Sequence, residues 1–227
     1  MIAPVRTLLK REIEWLGTHY CKHSMTYLAH YNCFLEEKPD DSPFVEKVGF
    51  FDIETFGGFN ADFGYVNSYA IRGSDGCLLG RVLSTSEIRK GKFDEALLSE
   101  LCKSLFKFNR IVVHYGADRK FDIPFVRTRA LKYGYDFPLY KDIYVTDTWA
   151  ICDAKLKLRN NRLGTVCGFF GIEAKTHPMT EDVWLKSSIG DKDALEYIWV
   201  HNVEDVDSLK ALYEKIVPFV NKGKRSI

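Results

Sequence analysis

Residues 48–57 read VGFFDIETFG, and the alternation within this stretch decides the fold. In an extended strand successive side chains point to opposite faces, so Asp52 and Glu54 emerge side by side while Phe51 and Ile53 enter the opposite layer. Like charges at strand spacing repel, and a hard divalent cation such as Mg²⁺ or Mn²⁺, which prefers carboxylate oxygens, resolves the conflict. An isolated D-x-E is more often a pair of acids on a solvated strand face. The pair therefore gains meaning only from its surroundings.

Outward from this strand the pattern continues. Strands are expected at Val48–Glu54, Tyr65–Ile71 and Cys77–Leu83, the last two joined as a hairpin by GSDG. Phe93, Ala96, Leu97, Leu101, Leu105 and Phe108 recur at helical spacing and lead into the short apolar run IVVHY, a fourth strand. Pro124 suits the first turn of a further helix that Gly134 ends, and Tyr144–Thr148 makes a fifth strand. Leu163, Val166, Cys167 and Phe170 then share a helical face. A long helix over Asp191–Val217 turns Ala194, Leu195, Ile198, Leu209, Leu212 and Ile216 inward. The order βββαβαβ followed by helices predicts an α/β three-layer fold, a mixed five-stranded sheet covered by helices.

Three more residues join the first pair. Asp122, in YGADRKFDIPF, follows the fourth strand and precedes a helix, so it suits a helix cap as well as a metal. His201 and Asp205 are four apart, on the helical face of Ile198, Leu209 and Leu212, where an unpaired charge is costly. A mutual His201–Asp205 pair would satisfy that face equally well. Asp147, Glu204 and Asp207 are reserve acids.

Composition sets the frame. The chain has 227 residues, 46% of them hydrophobic, enough for one main core with a small appendage. The net charge of +1 does not announce a polyanion partner, so charge alone would not suggest nucleic acid. No stretch approaches the roughly 18 apolar residues of a membrane span. The opening MIAPVRTLLKREIEWLG breaks its apolar run with charges, unlike a signal peptide. A soluble, cytoplasmic protein is the expectation, and Cys77, Cys102, Cys152 and Cys167 read as reduced core thiols. Residues 1–45 read as an N-terminal appendage, with an amphipathic helix over Val5–Leu16, a Cys/His-rich stretch and the linker EEKPDDSP. Residues 46–227 form the main domain.

Three blocks in this domain carry a resemblance. FFDIET, VVHYGADRKFDIPFVRTRAL and YIWVHNVEDVDSLKAL are similar, in order and spacing, to the three motifs of the DEDD-type 3′-5′ exonucleases of the ribonuclease H-like superfamily. That family includes polymerase proofreading domains. The likeness spans residues 46–217 and is strongest to a stand-alone branch. In that branch the second motif runs F-D-I-P-F, and the third has an aromatic residue, often followed by asparagine, before the last aspartate. YVTDTW and NRLGTVCGFFGIEAKT also look familial. The resemblance implies a ribonuclease H-like three-layer fold. It further implies that Asp52, Glu54, Asp122 and Asp205 hold two Mg²⁺ or Mn²⁺ ions, with His201 as general base. The reaction implied is release of nucleoside 5′-monophosphates from 3′ ends of DNA, or of RNA, probed best on single strands. One departure stands out: His201 lies four residues before Asp205, a histidine where one branch has tyrosine and the other places histidine five before. A structure-specific endonuclease and an inactive nucleic-acid-binding subunit are the competing readings.

Two further features remain. CKHSMTYLAHYNC supplies Cys21, His23, His30 and Cys33 within thirteen residues, the ligand types of a tetrahedral structural zinc site, though not at a common finger spacing. A metal-free helix bearing the same residues is the competing reading, and His19 adds a fifth candidate. Arg119 and Lys120, with Lys155, Lys157, Arg159 and Arg162, are candidate phosphate contacts, although basic residues more often line a solvated face. Phe56, Phe59 and Phe63, in a Gly-rich loop after the first motif, are candidates for stacking on a terminal base.

Overall fold

The computed structural model describes residues 8–37, 39, 46–173 and 177–220. Helices α1 (Lys10–Thr18) and α2 (Tyr31–Glu37) precede a core that opens with strands β1 (Val48–Phe56), β2 (Tyr65–Gly73) and β3 (Leu78–Val82). Helices α3 (Thr85–Arg89) and α4 (Glu95–Leu105), strand β4 (Arg110–Val113), helix α5 (Asp122–Tyr133) and strand β5 (Tyr144–Asp147) follow. Helices α6 (Thr148–Lys155), α7 (Leu163–Phe169), α8 (Glu181–Ser188) and α9 (Lys192–Ile216) complete the order.

The five-stranded sheet runs β3-β2-β1-β4-β5. β1 is central, antiparallel to β2 and parallel to β4, so the sheet is mixed as expected. Its two faces are sorted by the alternation of β1. Phe51 and Ile53 enter a core shared with Leu97, Leu101 and Leu105 of α4 and Ile123 and Val126 of α5. Phe50 faces the other way, packing with Ala70, Val112, Val206 and Leu209 under α9. A further cluster of Cys152, Val166, Cys167, Leu212 and Ile216 seats α6 and α7 against α9. Three layers result: α4 and α5, then the sheet, then α9 with α6 and α7. No helix among the described residues is long and apolar enough to cross a membrane.

Several boundaries differ from expectation for local reasons. The N-terminal helix starts at Lys10, because the Glu12 carboxylate turns back to accept from Leu9 N at 2.7 Å and stops the helix there; the start expected at Val5 lies outside the described residues. Most of EEKPDDSP and residues 174–176 of the last familial stretch lie outside them too. α4 begins only at Glu95, after Phe93 takes a positive φ of 31°. α3, α6 and α8 were not foreseen. Each starts at a side-chain cap: Ser84 accepts from Glu87 N, Asp147 from Trp149 N and Thr180 from Val183 N.

One charged contact is wholly internal. Arg129 donates to both oxygens of Asp94, at 2.5 and 2.9 Å, with the two side chains 5% and 0% exposed. Asp94 also accepts from Val66 N at 2.9 Å and Tyr133 Oη at 3.1 Å, so the pair joins α4, α5 and β2. Truncating one member leaves the other charge buried. Arg129→Ala is therefore expected to lower the unfolding free energy in urea by about 3–5 kcal/mol. A loss under about 1 kcal/mol, the range of a surface pair, would contradict this account.

Candidate active site

The site forms where β1 outruns its parallel neighbour. The β1–β4 ladder ends at Phe50↔Val112, leaving the following backbone of β1 without β4 beside it. Asp122, the first residue of α5, fills that place: its Oδ1 accepts from Ile53 N at 3.3 Å, directly between Asp52 and Glu54. The same carboxylate requires Gly116. A Cβ there would lie 2.2 Å from Asp122 Oδ2, so only glycine lets the acid approach the strand. Asp122 is 4% exposed. Burial, abetted by the charges of Glu54 and Asp147, pushes its carboxyl up to about 8.

A bulge in the β1–β2 ladder falls between Glu54 and Thr55, opposite Asn67, at this same end. Bulges re-aim side chains near functional sites, and here Glu54 meets α9. His201 Nε2 lies 3.1 Å from Glu54 Oε1 and 3.5 Å from Asp205 Oδ2. Its other nitrogen, Nδ1, meets the His177 carbonyl. A carbonyl only accepts, so Nδ1 carries a proton and Nε2 is the nitrogen turned to the carboxylates. Glu204 steadies the far side of this contact, binding His177 through its Nδ1 at 2.8 Å and its backbone N at 3.3 Å. Asp52 is held separately: Asn202 Nδ2 donates to its Oδ2 at 2.7 Å, and Ser68 Oγ donates to Asn202 Oδ1 at 2.9 Å.

Glu54, His201 and Asp205 thus bring ligand atoms within 4.8 Å of one another. Asp52 and Asp122 stand outside that tight group, joined to it through Asn202 and the Ile53 amide. The donor chemistry fits a hard divalent cation: carboxylate oxygens from two elements, an imidazole nitrogen, and a buried acid whose charged form a cation would favour. The reserve acids have other employment. Asp147 accepts from Tyr115 N, Ala117 N and Trp149 N, Glu204 serves His177, and exposed Asp207 pairs with Arg72 at 2.7 Å.

Beside Glu54 opens a cleft of about 370 Å³, lined by Ile53, Thr55, Phe56, Gly57, Gly58, Phe59, Phe121 and Trp184 as well as Glu54 itself. Phe56 and Phe59 are thus where a stacking surface was expected. Phe63 does not line it and stands 83% exposed. Trp184, from the unforeseen α8, does. Of the basic candidates, Lys120 lies over the rings of Trp149 and Tyr115, at 3.5 and 4.2 Å, which fixes its ammonium on the loop between β4 and Asp122. Arg119, Lys155, Lys157, Arg159 and Arg162 are exposed. The backbone before Arg162 is tied to the end of β4, since His114 Nε2 meets the Asn161 carbonyl at 2.7 Å. Far from these, Cys21, His23, His30 and Cys33 form a second group with ligand atoms within 4.8 Å.

Asn202, Ser68, His177, Gly116 and Trp184 escaped the reading of the chain as candidates, and Glu204, a reserve acid there, instead holds His177. Only Asn202 had a signal, the asparagine next to the aromatic position in the third motif. Because such orienting partners govern ligand placement, Asn202→Ala is expected to weaken Mn²⁺ binding by about 10–100-fold in isothermal titration. An unchanged affinity would remove Asn202 from the site.

Comparison with known proteins follows the same outline. A family model of the RNase H superfamily matches residues 49–217. No curated protein matches the chain. Among solved structures, the family B DNA polymerase from the hyperthermophilic archaeon Pyrobaculum calidifontis is similar, with a TM-score of 0.63 and 20% identity. That match covers 80% of this chain and 26% of the polymerase chain, so the protein spans about a quarter of the polymerase's length, and the likeness is one of fold. The paired acids of β1, and α9 with its histidine and aspartate, fall inside the matched span, and the chain belongs to the RNase H superfamily.

Proposed function

We propose that the protein is a metal-dependent 3′-5′ exonuclease that removes nucleoside 5′-monophosphates from single-stranded DNA ends, with RNA ends as a second substrate. The observation that carries this reading is the convergence of Glu54, His201 and Asp205 from β1 and α9, with Asp52 and Asp122 against them. Asp52, Glu54, Asp122 and Asp205 would hold two Mg²⁺ or Mn²⁺ ions. Bound there, the ions would supply Lewis acidity at the scissile phosphate, lower the pKa of the attacking water and stabilise the leaving 3′ oxygen.

The remaining work falls to the chain itself. Asn202, braced by Ser68, orients Asp52. His201 Nε2, once its contact with Glu54 Oε1 is given up and its proton left on that carboxylate, takes a proton from water, while the His177 carbonyl, anchored through Glu204, keeps the other nitrogen protonated and the ring in place. The aromatic cleft of Phe56, Phe59, Phe121 and Trp184 receives a terminal base beside Glu54, and stacking of this kind is indifferent to sequence. Lys120, the exposed Arg119, and Lys155, Lys157 and Arg159 contact phosphates.

Digestion of 5′-labelled single-stranded DNA, with Mg²⁺ or Mn²⁺, tests the proposal. Wild type is expected to give a ladder shortened from the 3′ end, and Asp52→Ala to lose activity by at least about 100-fold. Equal activity of the two proteins would refute the site, and cleavage of a circular single strand would refute the exonuclease assignment. His201→Gln should lower turnover with less effect on Mn²⁺ affinity than Asp205→Ala, if the imidazole accepts a proton rather than ligates.

A further inference from the structure

The N-terminal group has a geometry that hydrogen bonding alone does not demand. Tyr20 and Thr26 bridge across a tight turn in which Cys21 N donates to Met25 O and Ser24, with φ 58°, donates to Cys21 O. This turn presents Cys21 and His23. Of the second pair, His30 immediately precedes α2 and Cys33 sits on its first turn, where Cys33 N donates to His30 O at 3.1 Å. Each sulfur then meets both imidazoles, always through Nδ1. Cys21 Sγ lies 3.9 Å from His23 and 3.5 Å from His30; Cys33 Sγ lies 3.2 Å from His23 and 3.4 Å from His30.

Those four distances are the sulfur–nitrogen edges of a polyhedron, and their size is diagnostic. A tetrahedral zinc ion with bonds of about 2.3 Å to sulfur and about 2.0–2.1 Å to nitrogen sets such edges at about 3.5 Å. The observed edges bracket that value. Both cysteines are free thiols, so no disulfide accounts for their approach. Among the described residues the unit's own core is small: Leu16, Cys21, Tyr27, Cys33 and Phe34, with Leu8 and Trp15 packed against it, and two of its buried members are the cysteines themselves. Segments this small usually need a disulfide, a metal or a partner surface in order to fold.

Its place on the protein defines what it does. Arg11 of α1 donates to the carbonyls of Phe106 at 3.2 Å and Phe108 at 2.6 Å, just before β4 begins. Arg110, the first residue of β4, pairs with Val48, the first of β1. Glu54 lies six residues along the strand from Val48, about 20 Å at strand rise. The N-terminal unit is docked at the end of the sheet opposite the carboxylates.

We propose that Cys21, His23, His30 and Cys33 bind one structural zinc ion, which folds the N-terminal unit and fastens it to the non-catalytic end of the sheet. The inference does not depend on the nuclease reading. Elemental analysis of the full chain, purified without a metal-affinity tag, tests it alongside Cys33→Ser and Asp52→Ala. One zinc per chain is expected in wild type and in Asp52→Ala, with zinc lost from Cys33→Ser. If Cys33→Ser does not fold, Co²⁺ exchanged into wild type should give the visible bands of a tetrahedral thiolate site, abolished by stoichiometric Zn²⁺. Folded wild type that contains no zinc, that holds iron instead, or whose zinc is lost with Asp52 rather than with Cys33, would overturn the proposal, as would a Co²⁺ form without those bands.

Discussion

Repulsion between carboxylates is the constraint on which this structure turns. Asp52, Glu54, Asp122 and Asp205 crowd one end of the sheet, and two of them are almost fully buried. Three partners hold the four. Asn202 restrains Asp52, the Ile53 amide restrains Asp122, and His201 stands between Glu54 and Asp205. The burial that lifts the Asp122 carboxyl to about 8 also makes the site receptive to cations, since bringing positive charge there relieves both desolvation and repulsion.

The scaffold supplies this concentration by a mismatch of lengths. β1 runs nine residues and β4 only four, so the central strand projects beyond its parallel neighbour. A helix terminus occupies the vacated edge, and an aspartate there takes over a hydrogen bond the ladder no longer provides. The buried Arg129–Asp94 pair then ties the helix to the rest of its layer, anchoring α5 to α4 and to β2.

Much of this was legible in the chain. Alternation in VGFFDIETFG sorted Phe51 and Ile53 from Asp52 and Glu54 correctly, and the apolar stripe on α9 marked His201 and Asp205 as inward. The mixed five-stranded sheet and the three layers followed from element order, while the spatial order β3-β2-β1-β4-β5 came from the coordinates. Short capped helices were missed because their signals are single residues: Ser84-x-x-Glu87 spelled a capping box that no apolar period reinforced. The supporting shell was missed for a different reason. Ser68 and His177 are ordinary residues until folding sets them against Asn202 and His201, Glu204 reads as a reserve ligand rather than as the anchor of His177, and Gly116 reveals its purpose only through the space it leaves for Asp122. The Cys/His group was visible as composition, while its regular edges, and its station away from the carboxylates, required coordinates.

The bond between Asn202 and Asp52 spans 150 positions of sequence. The strand that carries Asp52 therefore leaves the ribosome long before the helix that orients it, and domains fold during synthesis only as their parts emerge. A nascent chain carries its acids without the means to aim them. The acids of β1 and the residues of α9 are therefore brought together only once α9, the last element of the group, has been made.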